Sequence, residues 1–173
     1  AFAEDAYTDG MPGFREVQPL IKEADDRSAH VFGSGWHTDS PFLEEPPAIT
    51  MLRSVETPPY GGDTIFASQY AAYDAFSDGM KKMLSGLRAY HSDRKVAGPR
   101  ANMNAHRSTK VREDADWQET ISLHPVVVTH PETGRKLLYL SELTTTHIEG
   151  LRDALVAPEG APTSCRIGSL RVT

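Results

Sequence analysis

The sequence predicts a mainly β fold with helical decoration, a double-stranded β-helix of the jelly-roll type. Three observations carry that expectation. Short apolar, β-branched runs recur along the chain, at Val17–Ile21, Ala48–Val55, Thr64–Ala67 and Leu123–Thr129. Turn chemistry separates them, in Thr57-Pro58-Pro59-Tyr60-Gly61-Gly62 and Pro131-Glu132-Thr133-Gly134. Only one stretch has a helical period.

Residues 1–20 read as irregular, broken by Gly10, Pro12, Gly13 and Pro19, with a short strand at 17–21. Gly33-Ser34-Gly35 permits tight backbone turns just before Trp36. AITMLRSV at 48–55 reads as a buried strand, and 64–67 as another short one. Tyr73, Phe76, Met80, Met83, Leu84 and Leu87 fall on one helical face and are expected in the core. Ser77 is a candidate cap for a second helix starting near Asp78, with Gly86 at its end. Residues 91–120 are polar and read as a lid or long excursion. Leu123–Thr129 and Lys136–Leu140 form a hairpin around the 131–134 turn. Thr144-Thr145-Thr146 opens a short helix expected over 147–155, and 157–164 are irregular.

The chain has 173 residues, 39% of them hydrophobic, enough for one domain with a core. The net charge of -6 and the lack of basic clusters exclude a nucleic-acid surface. No long apolar run suggests a membrane span, and Ala1-Phe2-Ala3-Glu4-Asp5 is not a signal peptide. The single cysteine, Cys165, fits a reducing, cytoplasmic compartment and reads as an incidental thiol. The first residue is not Met, as in a processed or partly observed product.

His37 and Asp39 lie one residue apart, so on extended chain both side chains point the same way. An imidazole and a carboxylate are two thirds of the 2-His-1-carboxylate triad that holds non-haem Fe(II). His-x-Asp alone is also common as a solvated pair. The other histidines read as structural or surface groups. His124 precedes Pro125 in the hairpin strand and is taken as structural. His130 sits at a turn and is taken as solvated. His30, His91 and His106 lie in polar stretches as surface candidates, with His30 or His91 able to face a cleft.

Trp36-His37-Thr38-Asp39, Phe42, Pro46-Pro47 and Gly61-Gly62-Asp63-Thr64 resemble the taurine dioxygenase / 2,4-D dioxygenase (TauD/TfdA) family. The resemblance continues through Ala71–Ala75, Leu84–Leu87, His124–Val127 and His130–Lys136 to Thr145-Thr146 and Gly150-Leu151. It implies a single oxygenase-like domain over 1–173, with Fe(II) and 2-oxoglutarate as metal and co-substrate. His37 and Asp39 match the first two iron ligands. Thr64 matches the threonine whose hydroxyl binds a 2-oxoglutarate carboxylate. Trp36 packs behind the metal or serves as a core aromatic.

The implied reaction couples oxidative decarboxylation of 2-oxoglutarate by O₂ to hydroxylation of a small acidic molecule, such as a sulfonate or phenoxyalkanoate. The family pattern also implies a third ligand histidine and a 2-oxoglutarate-binding arginine downstream. No histidine follows His147, which stands where many relatives have arginine. Arg166 and Arg171 are the late arginines. A sheet incomplete at its C-terminal edge is therefore expected, and its open edges favour a homo-oligomer. Two rival readings remain. One is a catalytically silent truncated relative acting as a binding or assembly module. The other is a zinc hydrolase that adds His91 or His124 to His37 and Asp39.

Overall fold

The computed structural model describes residues 10–25, 33, 35–98 and 116–151. The elements run α1 (Gln69–Asp74), α2 (Asp78–Leu84), β1 (Arg88–Ser92), β2 (Ile121–Pro125), β3 (Val127–Thr129), β4 (Lys136–Leu138) and β5 (Thr145–Ile148). Among the described residues they form an antiparallel sheet ordered β2-β1-β5 and a hairpin, β3-β4.

The stretch read as one strand over 123–129 is two. β2 pairs with β1, Ala89 facing His124 and His91 facing Ser122. β3 pairs with β4, Val127 facing Leu138. Val126 joins the sheets: its N–H donates to the Leu87 carbonyl at 2.9 Å, and its carbonyl accepts from the Tyr139 N–H at 2.8 Å. Its side chain is fully buried, and Val126, Ala89 and Tyr73 are the buried apolar side chains among the described residues. Pro125 lacks an N–H and sits at the end of an edge strand, where its loss to the ladder is tolerated.

The helical stretch divides as expected. Ser68 caps α1 by accepting the Ala71 N–H, and Ser77 caps α2 by accepting the Met80 N–H. α2 closes on Ser85, one residue before Gly86. α1 lies against the β3-β4 hairpin. The Arg135 guanidinium sits 4.4 Å from the Tyr70 ring centre and pairs with Asp74 at 3.2 Å. Tyr70 and Thr133 hydroxyls meet at 3.4 Å.

Four expectations are corrected. Residues 48–55 and 64–67 are not strands. Ile49, Met51, Leu52, Val55, Ile65 and Phe66 are all exposed, because no described strand pairs with them and an apolar run without a ladder partner buries nothing. Residues 17–21 likewise form no strand. Of the helical face, only Tyr73 is buried, and Met80 and Met83 are exposed. The helix expected over 147–155 begins instead as a strand. Thr145, Thr146 and His147 are drawn into β5 by pairing with β1 (Tyr90 faces His147), and β-branched threonines suit a pleated edge. Residues 152–164 lie outside the described residues.

The expected excursion over 91–120 is tied at its base. Ser92 Oγ donates to Glu119 Oε1 at 2.6 Å, Arg94 pairs with Glu119 at 2.6 Å, and Asp93 and Thr120 exchange backbone and side-chain bonds. The Ser92 hydroxyl and then Arg94 hold the Glu119 carboxyl below its usual range. Residues 99–115 lie outside the described residues.

Burial ranks these positions for stability. Val126→Ala should cost about 1–3 kcal/mol in urea unfolding, from lost apolar burial and the cavity left behind. Val55→Ala, at an exposed site, should stay within about 0.5 kcal/mol. Equal losses would mean that residues 48–55 pack in solution.

Candidate metal-ligand pair and its buried support

Residues 36–47 carry no regular secondary structure, yet their side chains are placed. His37 Nδ1 lies 2.7 Å from the Gly35 carbonyl oxygen. A carbonyl only accepts, so Nδ1 carries the proton and Nε2 is the atom left for other work. Nε2 lies 3.2 Å from Asp39 Oδ1. A bare imidazole lone pair and a carboxylate oxygen repel at that distance. A cation near Nε2 would relieve that repulsion, and a metal ion is one such cation. Two cis ligands each about 2.1 Å from a metal stand about 3.0 Å apart, close to this spacing. The backbone bond at Nδ1 is also the support that metal-bound histidines ordinarily have. Gly33 stands close by in left-handed backbone (φ 76°), where an added Cβ would meet the His37 ring at 3.4 Å.

Ser40, directly after Asp39, has φ 49°, the one non-glycine left-handed residue among those described. That conformation costs about 1–2 kcal/mol and persists only where neighbours impose it. Two fastenings flank it. Gln69 Nε2, at the start of α1, donates to Thr38 Oγ1 at 2.8 Å. His124 Nε2, on β2, lies 2.9 Å from the Leu43 carbonyl. The Leu43 N–H closes the turn onto the Ser40 carbonyl at 3.1 Å, and Pro41 is fully buried within it.

Thr64 is exposed and follows Gly61 and Gly62, whose φ values of 78° and 77° need glycine. No hydrogen bond among the described residues joins it to His37 or Asp39. Trp36 is 51% exposed, so it is not a core aromatic; no covering element lies over this segment among the described residues. The described residues hold no group of three or more His, Cys, Asp or Glu side chains able to share a metal, so the zinc-hydrolase arrangement with His91 or His124 does not form there. His30, His106, Cys165, Arg166 and Arg171 lie outside the described residues.

The expectation of a surface His91 is overturned. β1 is the middle strand, and Ala89, His91 and Asp93 alternate onto one fully buried face. The His91, His124 and Tyr139 rings form a triangle, with centres 5.7, 5.6 and 5.7 Å apart. His91 Nδ1 meets Thr145 Oγ1 at 3.3 Å, while its Nε2 has no partner. Burial, and then the charge of His124, lower its pKa to about 4. Burial raises the Asp93 carboxyl; the Trp117 indole N–H lies near it but falls short of hydrogen-bond geometry. Burial also raises the Tyr139 hydroxyl. The period-two run Ala89-x-His91-x-Asp93 was the signal available in the sequence, masked by its polarity. His130 and His147 are half-buried; His147 stacks on Tyr90 at 4.5 Å, and His130 Nδ1 accepts the Glu132 N–H.

The profile of the taurine catabolism dioxygenase TauD, TfdA family matches residues 4–161. The chain belongs to this family. A Schizosaccharomyces pombe protein provisionally named an alpha-ketoglutarate-dependent sulfonate dioxygenase is 40% identical over 116 residues, 67% of this chain and 28% of its own length. The alpha-ketoglutarate-dependent 2,4-dichlorophenoxyacetate dioxygenase of Cupriavidus pinatubonensis is 36% identical over 119 residues, 67% of this chain and 38% of that protein. A crystal structure of a taurine dioxygenase from Burkholderia xenovorans superimposes with TM-score 0.52 at 31% identity, covering 74% of this chain and 39% of that one. The chain thus spans roughly a third of the length of these TauD, TfdA relatives.

The buried histidine makes a pH prediction. Below its ordinary value near 6.5 the unfolded chain protonates His91, while the folded chain resists until about pH 4. Stability from this group is therefore full above pH 6.5 and falls as pH drops towards 4, by on the order of 2–3 kcal/mol. Asp93 acts with the opposite sign and is common to both proteins in a comparison with His91→Gln. Urea unfolding at pH 7.5 and 4.5 should show a smaller acid loss in His91→Gln; equal losses would refute the assignment.

Proposed function

We propose that this TauD, TfdA family chain carries part of the active site of an Fe(II)- and 2-oxoglutarate-dependent dioxygenase. Its primary substrate is a small acidic organic molecule, of the sulfonate or phenoxyalkanoate kind. The observation that carries the reading is the His37–Asp39 pair. Nε2 and Oδ1 face each other at 3.2 Å, and Nδ1 is already committed to the Gly35 carbonyl. That donor set fits two of the three protein positions of a facial triad. The names of the relatives, for sulfonate and 2,4-dichlorophenoxyacetate dioxygenases that depend on alpha-ketoglutarate (2-oxoglutarate), support the same chemistry.

In this reading His37 and Asp39 would hold the metal, with the Gly35 carbonyl fixing the imidazole tautomer. The Thr64 hydroxyl, exposed beyond the two left-handed glycines, donates to a carboxylate of 2-oxoglutarate and orients it. Trp36 screens the ligand pair once its face is covered. Iron with 2-oxoglutarate supplies the O₂ activation that couples decarboxylation to hydroxylation. The described sheets are consistent with part of a double-stranded β-helix forming one domain. The exposed apolar residues at 49–55 and 65–66 are surface that a further sheet or a second copy would cover, so we infer a homo-oligomer. No described helix is long and apolar enough to cross a membrane. The lone cysteine accords with a cytoplasmic setting.

Anaerobic titration with Fe(II) and 2-oxoglutarate should develop a weak visible charge-transfer band. His37→Ala and Asp39→Ala should abolish it. Thr64→Val should weaken 2-oxoglutarate about tenfold, the loss of one hydrogen bond to a charged group. No band in the unmutated chain, or a band indifferent to His37→Ala, would sink the proposal.

A further inference from the structure

The geometry points to His124 as a positioning residue for the His37–Asp39 pair, acting through the Leu43 carbonyl; this rests on the metal-site reading above. The ligand segment has no strand or helix of its own to fix it. It contains a left-handed serine immediately after the carboxylate, so its shape must be imposed from outside. His124 supplies one of the two cross-chain fastenings, 81 residues away in sequence and half-buried. Gln69 supplies the other at Thr38.

What distinguishes His124 is how firmly its ring is held. It lies edge-on to Tyr139, with ring planes at 89°, and against the fully buried His91, with planes at 60°. The triangle leaves Nε2 directed at Leu43. Because that carbonyl can only accept, His124 must carry its proton on Nε2. Burial, and then the charge of His124, keep its neighbour His91 uncharged in the fold above about pH 4. Loss of a group bonded directly to a metal ligand ordinarily costs about 10–100-fold in metal affinity, and His124, one step further out, is expected at the low end.

Three measurements decide it. Imidazole ¹⁵N shifts of the unmutated protein at pH 7.5 should show the Nε2–H tautomer for His124; the Nδ1–H tautomer would overturn the tether. Hydrogen exchange at the Leu43 amide should quicken at least about tenfold in His124→Phe. It should return towards the original rate in His124→Gln, whose amide can donate from a similar place. Unchanged exchange in the Phe variant, or a Gln variant no better than Phe, also overturns it. Co(II) alone should bind the Phe variant about tenfold more weakly than the unmutated chain. Quickened exchange with unchanged Co(II) affinity would refute the link to the ligand pair. Failure of the unmutated chain to bind Co(II) would instead remove the metal-site reading, while tautomer and exchange still decide the tether. Should the Phe variant unfold, the tautomer and the exchange rate of the Gln variant still support or overturn the tether.

Discussion

The stretch Ile121–Thr129 serves two sheets, and Val126 is the residue at which it changes partner. Its N–H closes onto Leu87 beside the first sheet, and its carbonyl takes the Tyr139 N–H beside the second. Burying the side chain fully at that joint fixes the angle between β2 and the hairpin. Much of the described architecture hangs from it. The hairpin carries α1 through Tyr70, Thr133 and Arg135, and α1 carries Gln69 to Thr38. Two residues before Val126, His124 reaches Leu43. The irregular ligand segment is therefore fastened at both ends to elements that meet at one valine.

That arrangement explains how a segment without regular structure can present defined chemistry. Loops carry binding residues when a rigid scaffold holds them. Here the fastening is polar and specific at Thr38 and Leu43, while His37 and Asp39 are left partly exposed. The backbone strain at Ser40 is sustained by the same bonds. Beneath the segment lies a dense polar interior, with His91, Asp93, Ser141 and Thr144 each keeping a buried atom without a partner. Such groups are costly. Burial shifts His91 and Asp93 in opposite directions and sets His91 apart from the histidines in half-buried positions.

Local features were legible in the sequence where one short-range rule governed them. Ser77 caps a helix because its hydroxyl meets an N–H three residues on. The 131–134 turn makes a hairpin because Gly134 takes left-handed backbone. Residues 48–55 did not obey so local a rule. An apolar, β-branched run says that a strand is possible, but a strand exists only with a neighbour to bond. Thr145 and Thr146 departed in the opposite direction, because β1 offered that neighbour and overrode a helix-opening pattern.

Residue type and order were enough for the family and for the identity of the candidate ligands. Trp36-His37-Thr38-Asp39 and the ordered motifs through Gly150-Leu151 need no coordinates to be recognised. How each histidine is buried and bonded was decided by tertiary contacts. The sequence reads His124 as a structural residue of a hairpin strand and His91 as a surface residue of a polar stretch. Pairing on both sides of β1 buries the first without a partner for its Nε2, and the edge position of β2 turns the second towards Leu43. Burial and hydrogen-bond direction arise from contacts between residues distant in the chain, and no local pattern encodes them.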